Sequence, residues 1–197
     1  YYDANIYGLA IALDGRAEYL PYEDLLKDQA TLDYLKSDLK KFTYDLKWAK
    51  HALDNKKIEL GYFDDLMLMT FLKNNYLDDL DKIFLEFKLN DIVPLQDVYG
   101  TVKKPKMIDA VLECKRSCEI ALGLLEVSKK IDEMLKEEEV LSLYHEVELP
   151  LLYVLYDVEK NGIHCDAKIL EKIGEENSAR IADLISEIYE LAGHEFT

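Results

Sequence analysis

Residues 6–13 read IYGLAIAL, and the turn-forming pair Asp14-Gly15 follows directly. A β-branched, apolar run of this kind predicts a buried strand. Asp-Gly is among the preferred two-residue connections between antiparallel strands, so residues 16–20 are predicted to be the returning strand. Pro21 ends that strand, because proline has no N–H to donate to a strand ladder. A β-hairpin is therefore predicted to open the fold.

Helices and one short strand are predicted after the hairpin. Leucines at helical spacing indicate the first helix, and an aromatic, β-branched stretch indicates the strand that follows it. Asp45 stands where an N-cap residue is expected for the next helix. The predicted segments are a helix over 23–37, a strand over 41–44, and helices over 46–53, 63–72 and 79–87.

The rest of the chain is predicted to be a loop followed almost entirely by helix. Two prolines and one glycine make residues 90–106 the main loop. Helix is expected from residue 107 onward, with a break near residues 137–139 and a stop at Asn161-Gly162. Asp166 and Gly193 bound the last helix. The first long helix carries an apolar stripe of Ile108, Val111, Leu112, Ile120, Leu124 and Leu125.

This order of elements indicates an α/β domain followed by a helical extension. We place the first domain at residues 1–138 and the extension at residues 139–197. The predicted strands are too few for a complete sheet, so a further edge or central strand is expected before Tyr1.

Composition and charge exclude several classes of protein. The 197 residues carry 24 Lys and Arg against 40 Asp and Glu, a formal charge of −16, which argues against a general nucleic-acid binder. Hydrophobic residues make up 49%, and no apolar run approaches the ~18–20 residues that span a membrane. Three cysteines and no secretion leader predict reduced thiols and a cytoplasmic location. A chain that opens Tyr1-Tyr2-Asp3 is expected to be part of a longer protein.

Lysines are concentrated between residues 36 and 57, at positions 36, 40, 41, 47, 50, 56 and 57. Such a cluster is either a phosphate-facing patch or a solvated surface, and the solvated surface is favoured.

Catalytic motifs with a fixed spacing are missing from the sequence. It contains no glycine-rich phosphate loop, and its cysteines and histidines do not have zinc spacing. Clustered acids could hold divalent metals for phosphoryl chemistry, and the candidates are Asp45, Asp64-Asp65, Asp78-Asp79-Asp81 and Glu119. Acids at helix starts are usually caps, and Asp45, Asp64 and Asp78 stand at predicted starts. Capping is therefore the favoured interpretation.

A family resemblance is carried most specifically by the C-terminal quarter. Residues 148–166 read ELPLLYVLYDVEKNGIHCD, and residues 188–196 read IYELAGHEF. They resemble family A DNA polymerases, the bacterial DNA polymerase I type, whose patterns are E-x-P-L-x-x-V-L-x-x-M-E-x-x-G-[VI]-x-[VI]-D and I-Y-E-L-A-G-x-E-F. Val158 and Cys165 are mild departures. Upstream, residues 6–10 and 63–68 are similar to an exonuclease strand and to the family's F-D-T-M-L helix start.

The resemblance implies a ribonuclease H-like 3′-5′ exonuclease fold, incomplete at its N-terminus, followed by the start of the polymerase thumb. Active members hold two metals with D-x-E, N-x-x-x-D and Y-x-x-x-D motifs. No D-x-E precedes Ile6 in this sequence. Asp45 and Ala49 stand at the asparagine and metal-binding aspartate of the second motif, and Lys115 and Glu119 at the tyrosine and acid of the third.

The expected function is therefore that of an inactive proofreading-like scaffold in a DNA polymerase I of replication and repair. The resemblance implies that this segment has no catalytic residue and binds no metal, and that Mg²⁺ is needed only by the parent polymerase. It also implies that the segment alone binds DNA weakly and that contact with DNA is made through the parent. The polymerase domain is the expected intramolecular partner. Two alternatives stay open. One is a live exonuclease with the weak ligand candidates Asp45, Asp64 and Glu119, and the other is an acidic helical interaction module.

Overall fold

The computed structural model describes residues 5–196 and divides the chain into two compact units. The first unit extends to Lys160, and the second begins at Asn161. Residues 141–160 thus belong to the first unit. The boundary expected from sequence, near residue 138, concerns the family's two domains and stays a prediction. No helix in the described range is long and apolar enough to cross a membrane.

The predicted hairpin is confirmed. Strands β1 (Gly8–Leu13) and β2 (Arg16–Pro21) pair antiparallel, with Leu13 opposite Arg16. Asp14 and Gly15 form the turn with φ of 51° and 75°. Positive φ at both central residues is the turn geometry whose twist matches that of the two strands, and Asp-Gly accepts it at small steric cost.

The predicted helix over 23–37 is two helices in the structure. They are α1 (Tyr22–Leu25) and α2 (Gln29–Lys36), separated around Asp28, which precedes α2 and accepts a hydrogen bond from the Thr31 hydroxyl at 2.6 Å. Leu25 and Leu35 are the buried members of the predicted apolar face. The strand β3 (Phe42–Thr43) and helix α3 (Leu46–Asp54) follow as predicted.

The predicted helix over 63–72 is wrong at its start. Asp64–Asp65 form a short strand, β4, which pairs parallel with β3 so that Phe42 lies opposite Asp64. Helix α4 (Leu66–Lys73) therefore begins only after the strand, and its cap is Asp65 rather than Asp64. Likewise, Asp79 rather than Asp78 caps α5 (Leu80–Glu86).

The predicted loop over 90–106 contains short elements. Helix α6 (Leu95–Tyr99) starts after Pro94, and strands β5 (Gly100–Thr101) and β6 (Lys104–Pro105) form a small antiparallel pair. Proline fixes the φ that a helix start needs, and Gly100 takes a φ of 74° at the end of α6.

A long helix, α7 (Ala110–Glu137), organises the first unit. It packs against β1, β2, β3 and α4. The predicted stripe is only partly right, because Val111 is 76% exposed while the fully buried face runs through Val127, Ile131 and Leu135. The predicted break is confirmed at the end of α7, where Glu139 has a φ of 59°.

Three consecutive helical segments complete the first unit. They are α8 (Leu141–Leu143), a π-helical segment (Tyr144–Glu148) and α9 (Leu149–Asn161). The hydrophobic core joins these segments to the rest of the unit, and its members include Leu25, Leu35, Leu46, Leu66, Met69, Ile83, Val127, Ile131, Leu135, Tyr144, Leu149 and Leu152. The architecture is that of an α/β domain with a helical extension.

The second unit is built on one helix, α10 (Ala167–Ala192). The predicted caps are confirmed, because Asp166 accepts hydrogen bonds from Lys168 N and Ile169 N and Gly193 ends the helix with a φ of 75°. Apolar side chains of this helix, such as Ile173 and Ile188, are about half exposed.

Gly123 on α7 lies against the ring of Phe84, and a Cβ there would overlap that ring. We expect Gly123→Ala to lower the free energy of unfolding by about 2 kcal/mol, because overpacking outweighs the better helix propensity of alanine. Urea unfolding followed by the fluorescence of Trp48, the only tryptophan, measures the change. The matched control is Gly174→Ala in α10, where a Cβ meets no atom within 4 Å. It should raise helix content by circular dichroism, and equal destabilisation by both changes would contradict the packing.

Candidate functional site

Two adjacent carboxylates, Asp64 and Asp65, are fully buried in β4. The Asp65 carboxylate accepts hydrogen bonds from the N–H groups at the starts of two helices. Its Oδ2 accepts from Leu46 N at 2.9 Å, and its Oδ1 accepts from Met67 N at 2.9 Å. The first bond reaches α3 and the second caps α4. One carboxylate thus satisfies N–H groups that the first turns of two helices leave without partners.

Asp64 is surrounded by three donors. Its Oδ1 accepts from Tyr62 Oη and from Tyr144 Oη, each at 3.0 Å. Its Oδ2 accepts no hydrogen bond and lies 3.5 Å from Lys40 Nζ. A buried carboxylate costs free energy unless it is paired and hydrogen-bonded. These neighbours offset the cost of burying the Asp64 carboxylate inside the domain.

Tyr144 connects the acid pair to the helices that follow α7. Its side chain is fully buried, and its hydroxyl donates to Asp64 while accepting from Asp65 N at 2.8 Å. Burial raises the pKa of Tyr144 well above its ordinary value, and the charge of Asp64 adds to this. The hydroxyl therefore stays protonated and keeps donating to Asp64. The π-helical segment that carries Tyr144 sets the side chain at this position.

Lys40 bridges Asp64 and Asp132. Its Nζ lies 2.8 Å from Asp132 Oδ2. Burial lowers the pKa of Lys40, but the two carboxylates outweigh this effect, so the pKa of Lys40 is raised. The second oxygen of Asp132 is buried without a hydrogen bond. Lys40 thus compensates two acids that belong to different elements, β4 and α7.

Burial raises the pKa of Asp65 to about 6. Hydrogen bonds from the backbone N–H groups of Leu46, Met67 and Leu68 oppose the rise, and the negative charge of Asp45 adds to it. The burial effect dominates, so the fold favours the protonated form of this carboxyl more than water does.

The residues at the degenerate motif positions have other structural partners. Asp45 caps α3 from a left-handed conformation, with φ of 55°, and accepts from Trp48 N at 3.2 Å. Ala49 lies one turn along the same helix and offers no ligand atom. On α7, Lys115 lies 3.8 Å from Glu119, whose Oε2 accepts from Val93 N at 2.9 Å. Within residues 5–196, no group of three or more Asp, Glu, His or Cys side chains is arranged to hold a metal ion. The donor set does not fit a two-metal centre.

Six of the seven lysines of the cluster are exposed or half-buried, and Lys41 is buried. Lys41 is only 4% exposed and donates to the carbonyls of Ser37 at 2.6 Å and Leu39 at 2.8 Å. Lys36 and Lys47 form ion pairs with Glu59 and Glu159, at 2.5 and 2.6 Å. Several of these lysines are thus bonded to neighbouring groups, and the choice between a solvated surface and a phosphate-facing patch stays a prediction.

Sequence reasoning missed Tyr144, Tyr62, Lys40 and Asp132 as members of the site. Their positions in the sequence carry no common spacing, since the bond between Tyr144 and Asp64 joins residues 80 apart. Only the burial of two adjacent acids could have indicated that such partners exist.

The comparisons with known proteins identify the family of the chain. Residues 1–115 match the family described as DNA polymerase I, ribonuclease H-like domain. The chain belongs to this family. It is 30% identical to the DNA polymerase I of Bacillus caldotenax over 200 residues, which is all of this chain and 23% of that protein. It is 26% identical to the DNA polymerase I of Bacillus subtilis over 200 residues, again all of this chain and 23% of that protein.

Further relatives repeat this pattern of coverage. The DNA polymerase I of Lactococcus lactis is 34% identical over 157 residues, 78% of this chain and 18% of that protein. The chain thus spans less than a quarter of the length of these relatives. Among solved structures, the POL domain of Pol1 from M. smegmatis, in complex with DNA primer-template and dNTP, superposes with a TM-score of 0.74. The two chains are 22% identical, and the match covers 99% of this chain and 32% of that one, which shows a likeness of fold.

Proposed function

We propose that this chain is the non-catalytic exonuclease-like segment of a DNA polymerase I, in which it acts as a scaffold for the polymerase domain. The observation that carries the proposal is the position of Tyr144. Its hydroxyl donates to the Asp64 carboxylate and accepts from the backbone N–H of Asp65, so strand β4 holds the outgoing helices to the domain.

The chemistry of the donors supports the loss of nuclease activity. A two-metal centre needs several carboxylate oxygens that converge on hard cations. Ala49 supplies none, Asp45 caps α3, and Glu119 is bonded to Val93 N. Lys40 lies 3.5 Å from the free oxygen of Asp64, which places a fixed positive charge where a cation would have to approach.

The activity of the whole protein belongs to this proposal as well. By analogy with its relatives, the parent would carry out Mg²⁺-dependent, template-directed DNA synthesis in replication and repair, as a cytoplasmic protein. Because the segment has a net charge of −16, the contacts with DNA would come mainly from the rest of the parent.

A test separates the scaffold from an active nuclease. We expect calorimetric titration with Mg²⁺ or Mn²⁺ to show no saturable two-site binding, and a 3′-labelled single strand to release no nucleotide. The matched variants are Asp64→Asn, which removes the candidate ligand, and Asp81→Asn, an exposed acid. Saturable binding with nucleotide release that Asp64→Asn abolishes and Asp81→Asn preserves would overturn the proposal. It would establish the alternative with ligands Asp45, Asp64 and Glu119.

A further inference from the structure

The small hairpin of β5 and β6 carries a group of lysines on a chain that is acidic overall. Lys103, Lys104 and Lys106 are exposed, and no acidic residue occurs from residue 98 to residue 108. Among residues 5–196, none of the three lysines is in an ion pair, and Lys106 Nζ reaches only the backbone oxygen of Asp97, at 3.4 Å. These cations neutralise no acid of their own fold, so they are available to an anion from outside it.

A polar cavity of about 330 Å³ lies beside the start of this hairpin. Gly100, the first residue of β5, lines it together with Gln96 and Arg116. The Arg116 guanidinium donates to Val93 O and forms no ion pair within residues 5–196. A guanidinium has five N–H donors, so most of its donors remain for a further acceptor. Asp81 also lines the cavity and opposes an anion there.

The backbone that carries the cavity and the hairpin is held in place at both ends. Val93 N donates to Glu119 Oε2 at 2.9 Å, which attaches the chain to α7 just before the cavity. After the hairpin, Lys106 N donates to Tyr99 O at 3.1 Å. Gly100 has a φ of 74°, and a Cβ there would lie 2.4 Å from a backbone oxygen of β6. The cations therefore stand on an ordered segment, which reduces the entropy lost when a ligand binds.

An aromatic pair adjoins the same segment. The ring of Tyr99, the residue before Gly100, stacks on the ring of Tyr7 with centroids 5.8 Å apart and an interplanar angle of 28°. Tyr7 is 42% exposed, so its ring can also contact a ligand. Proteins that bind single-stranded nucleic acid combine cations along the backbone with aromatic rings on which bases stack. Both elements occur here within one short stretch of chain and its neighbours.

We propose that this surface binds a single strand of DNA, with phosphates at Lys103, Lys104 and Arg116 and a base stacked on Tyr7. A strand suits the surface better than another polyanion does, because only a nucleic acid offers bases to the exposed ring. The degenerate motif positions take no part in the surface, so the inference goes beyond the scaffold role and holds whether or not the segment cleaves DNA. Binding by this chain alone is weak, because its net charge of −16 repels the strand.

NMR titration of the present chain with a single-stranded DNA of about six nucleotides, at about 50 mM salt, tests the proposal and measures weak dissociation constants. We expect saturable shifts of the backbone amides of Gln96, Gly100 and Lys104. Shifts that do not saturate, or that map to other parts of the chain, would overturn the proposal.

A matched pair of double variants separates this surface from the overall charge. Lys103→Glu with Lys104→Glu should raise the dissociation constant by about tenfold or more. Lys130→Glu with Lys136→Glu changes the net charge equally, but these exposed residues lie 14 and 20 positions beyond Arg116 on α7, about 20–30 Å along the helix. That control should change the constant by less than about twofold, and equal weakening by the two double variants would contradict a local site.

Two single variants test the cavity and the stacking separately. Asp81→Asn removes the acid that lines the cavity and should tighten binding by about twofold, the opposite direction to the lysine variants. Tyr7→Ala should weaken binding of the DNA by about fivefold or more and leave binding of inorganic polyphosphate, which has no bases, unchanged. If polyphosphate bound as tightly as the DNA and Tyr7→Ala affected neither, the surface would be a general polyanion site and the proposal would fail.

Discussion

Replacing Tyr144 with phenylalanine is expected to lower the free energy of unfolding of the first unit by about 3 kcal/mol. The hydroxyl lies in a fully buried position, where it donates to Asp64 and accepts from Asp65 N. Removing the hydroxyl leaves the Asp64 carboxylate oxygen and the Asp65 N–H without this partner. Each buried polar group that loses its partner costs about 1–3 kcal/mol. The ring is retained, so the change does not include the loss of packing.

Urea unfolding with Trp48 fluorescence measures this loss, and Tyr76→Phe serves as its control. Tyr76 undergoes the same chemical change, but its side chain is 64% exposed, so the expected effect is within about 0.5 kcal/mol. If Tyr144→Phe were as stable as Tyr76→Phe, the hydroxyl would not hold the outgoing helices. In the full-length protein, Tyr144→Phe should lower the temperature at which polymerase activity is lost, since the proposed scaffold then loosens.

The elements predicted well from the sequence are those whose cause is local. The Asp14-Gly15 turn, the cap at Asp166 and the stop at Gly193 each depend on a few neighbouring residues, and all three are confirmed. The start of α4 was wrong because β4 forms only by pairing with β3, more than 20 residues upstream. No local pattern in an Asp-Asp pair indicates an extended conformation.

The candidate site was less predictable for the same reason. The sequence correctly indicated a cap at Asp45, but it assigned the cap of α4 to Asp64 instead of Asp65 and that of α5 to Asp78 instead of Asp79. A shift of one residue along a strand turns the side chain to the opposite face. Asp64 therefore meets Tyr144 and Lys40 rather than the helix start, and both partners come from elements that only the fold brings together.

The two buried acids of β4 have separate roles, and this separation explains how the pair is tolerated. Asp64 is compensated by Lys40 and two tyrosine hydroxyls, whereas Asp65 is bonded only to backbone N–H groups. Hydrogen bonds without a counter-charge offset less of the cost of burying an ionised carboxylate. Asp65 is therefore the member whose protonation should govern how the stability of this region responds to pH.

Asp65→Asn is expected to gain about 3 kcal/mol of stability relative to wild type as the pH rises from about 3 to 7. The pKa of Asp65 is about 6 in the fold, against a reference value of 3.8. Because the folded pKa is the higher one, the native state binds more protons, and the contribution of Asp65 to stability is lost as the pH rises through about 6. Two pKa units correspond to about 3 kcal/mol. Asparagine has nearly the same shape and cannot ionise, so it escapes this loss.

Unfolding free energies at half-unit steps of pH, with Trp48 as the probe, give the difference between variant and wild type. That difference should be constant below about pH 3 and above about pH 7 and change between these limits. The control Asp14→Asn alters a turn residue that is exposed, and its curve should run parallel to that of wild type. A parallel curve for Asp65→Asn would show instead that the N–H groups of Leu46, Met67 and Leu68 fully offset the burial of the carboxylate. In that case Asp65 would be a helix cap without influence on the pH response.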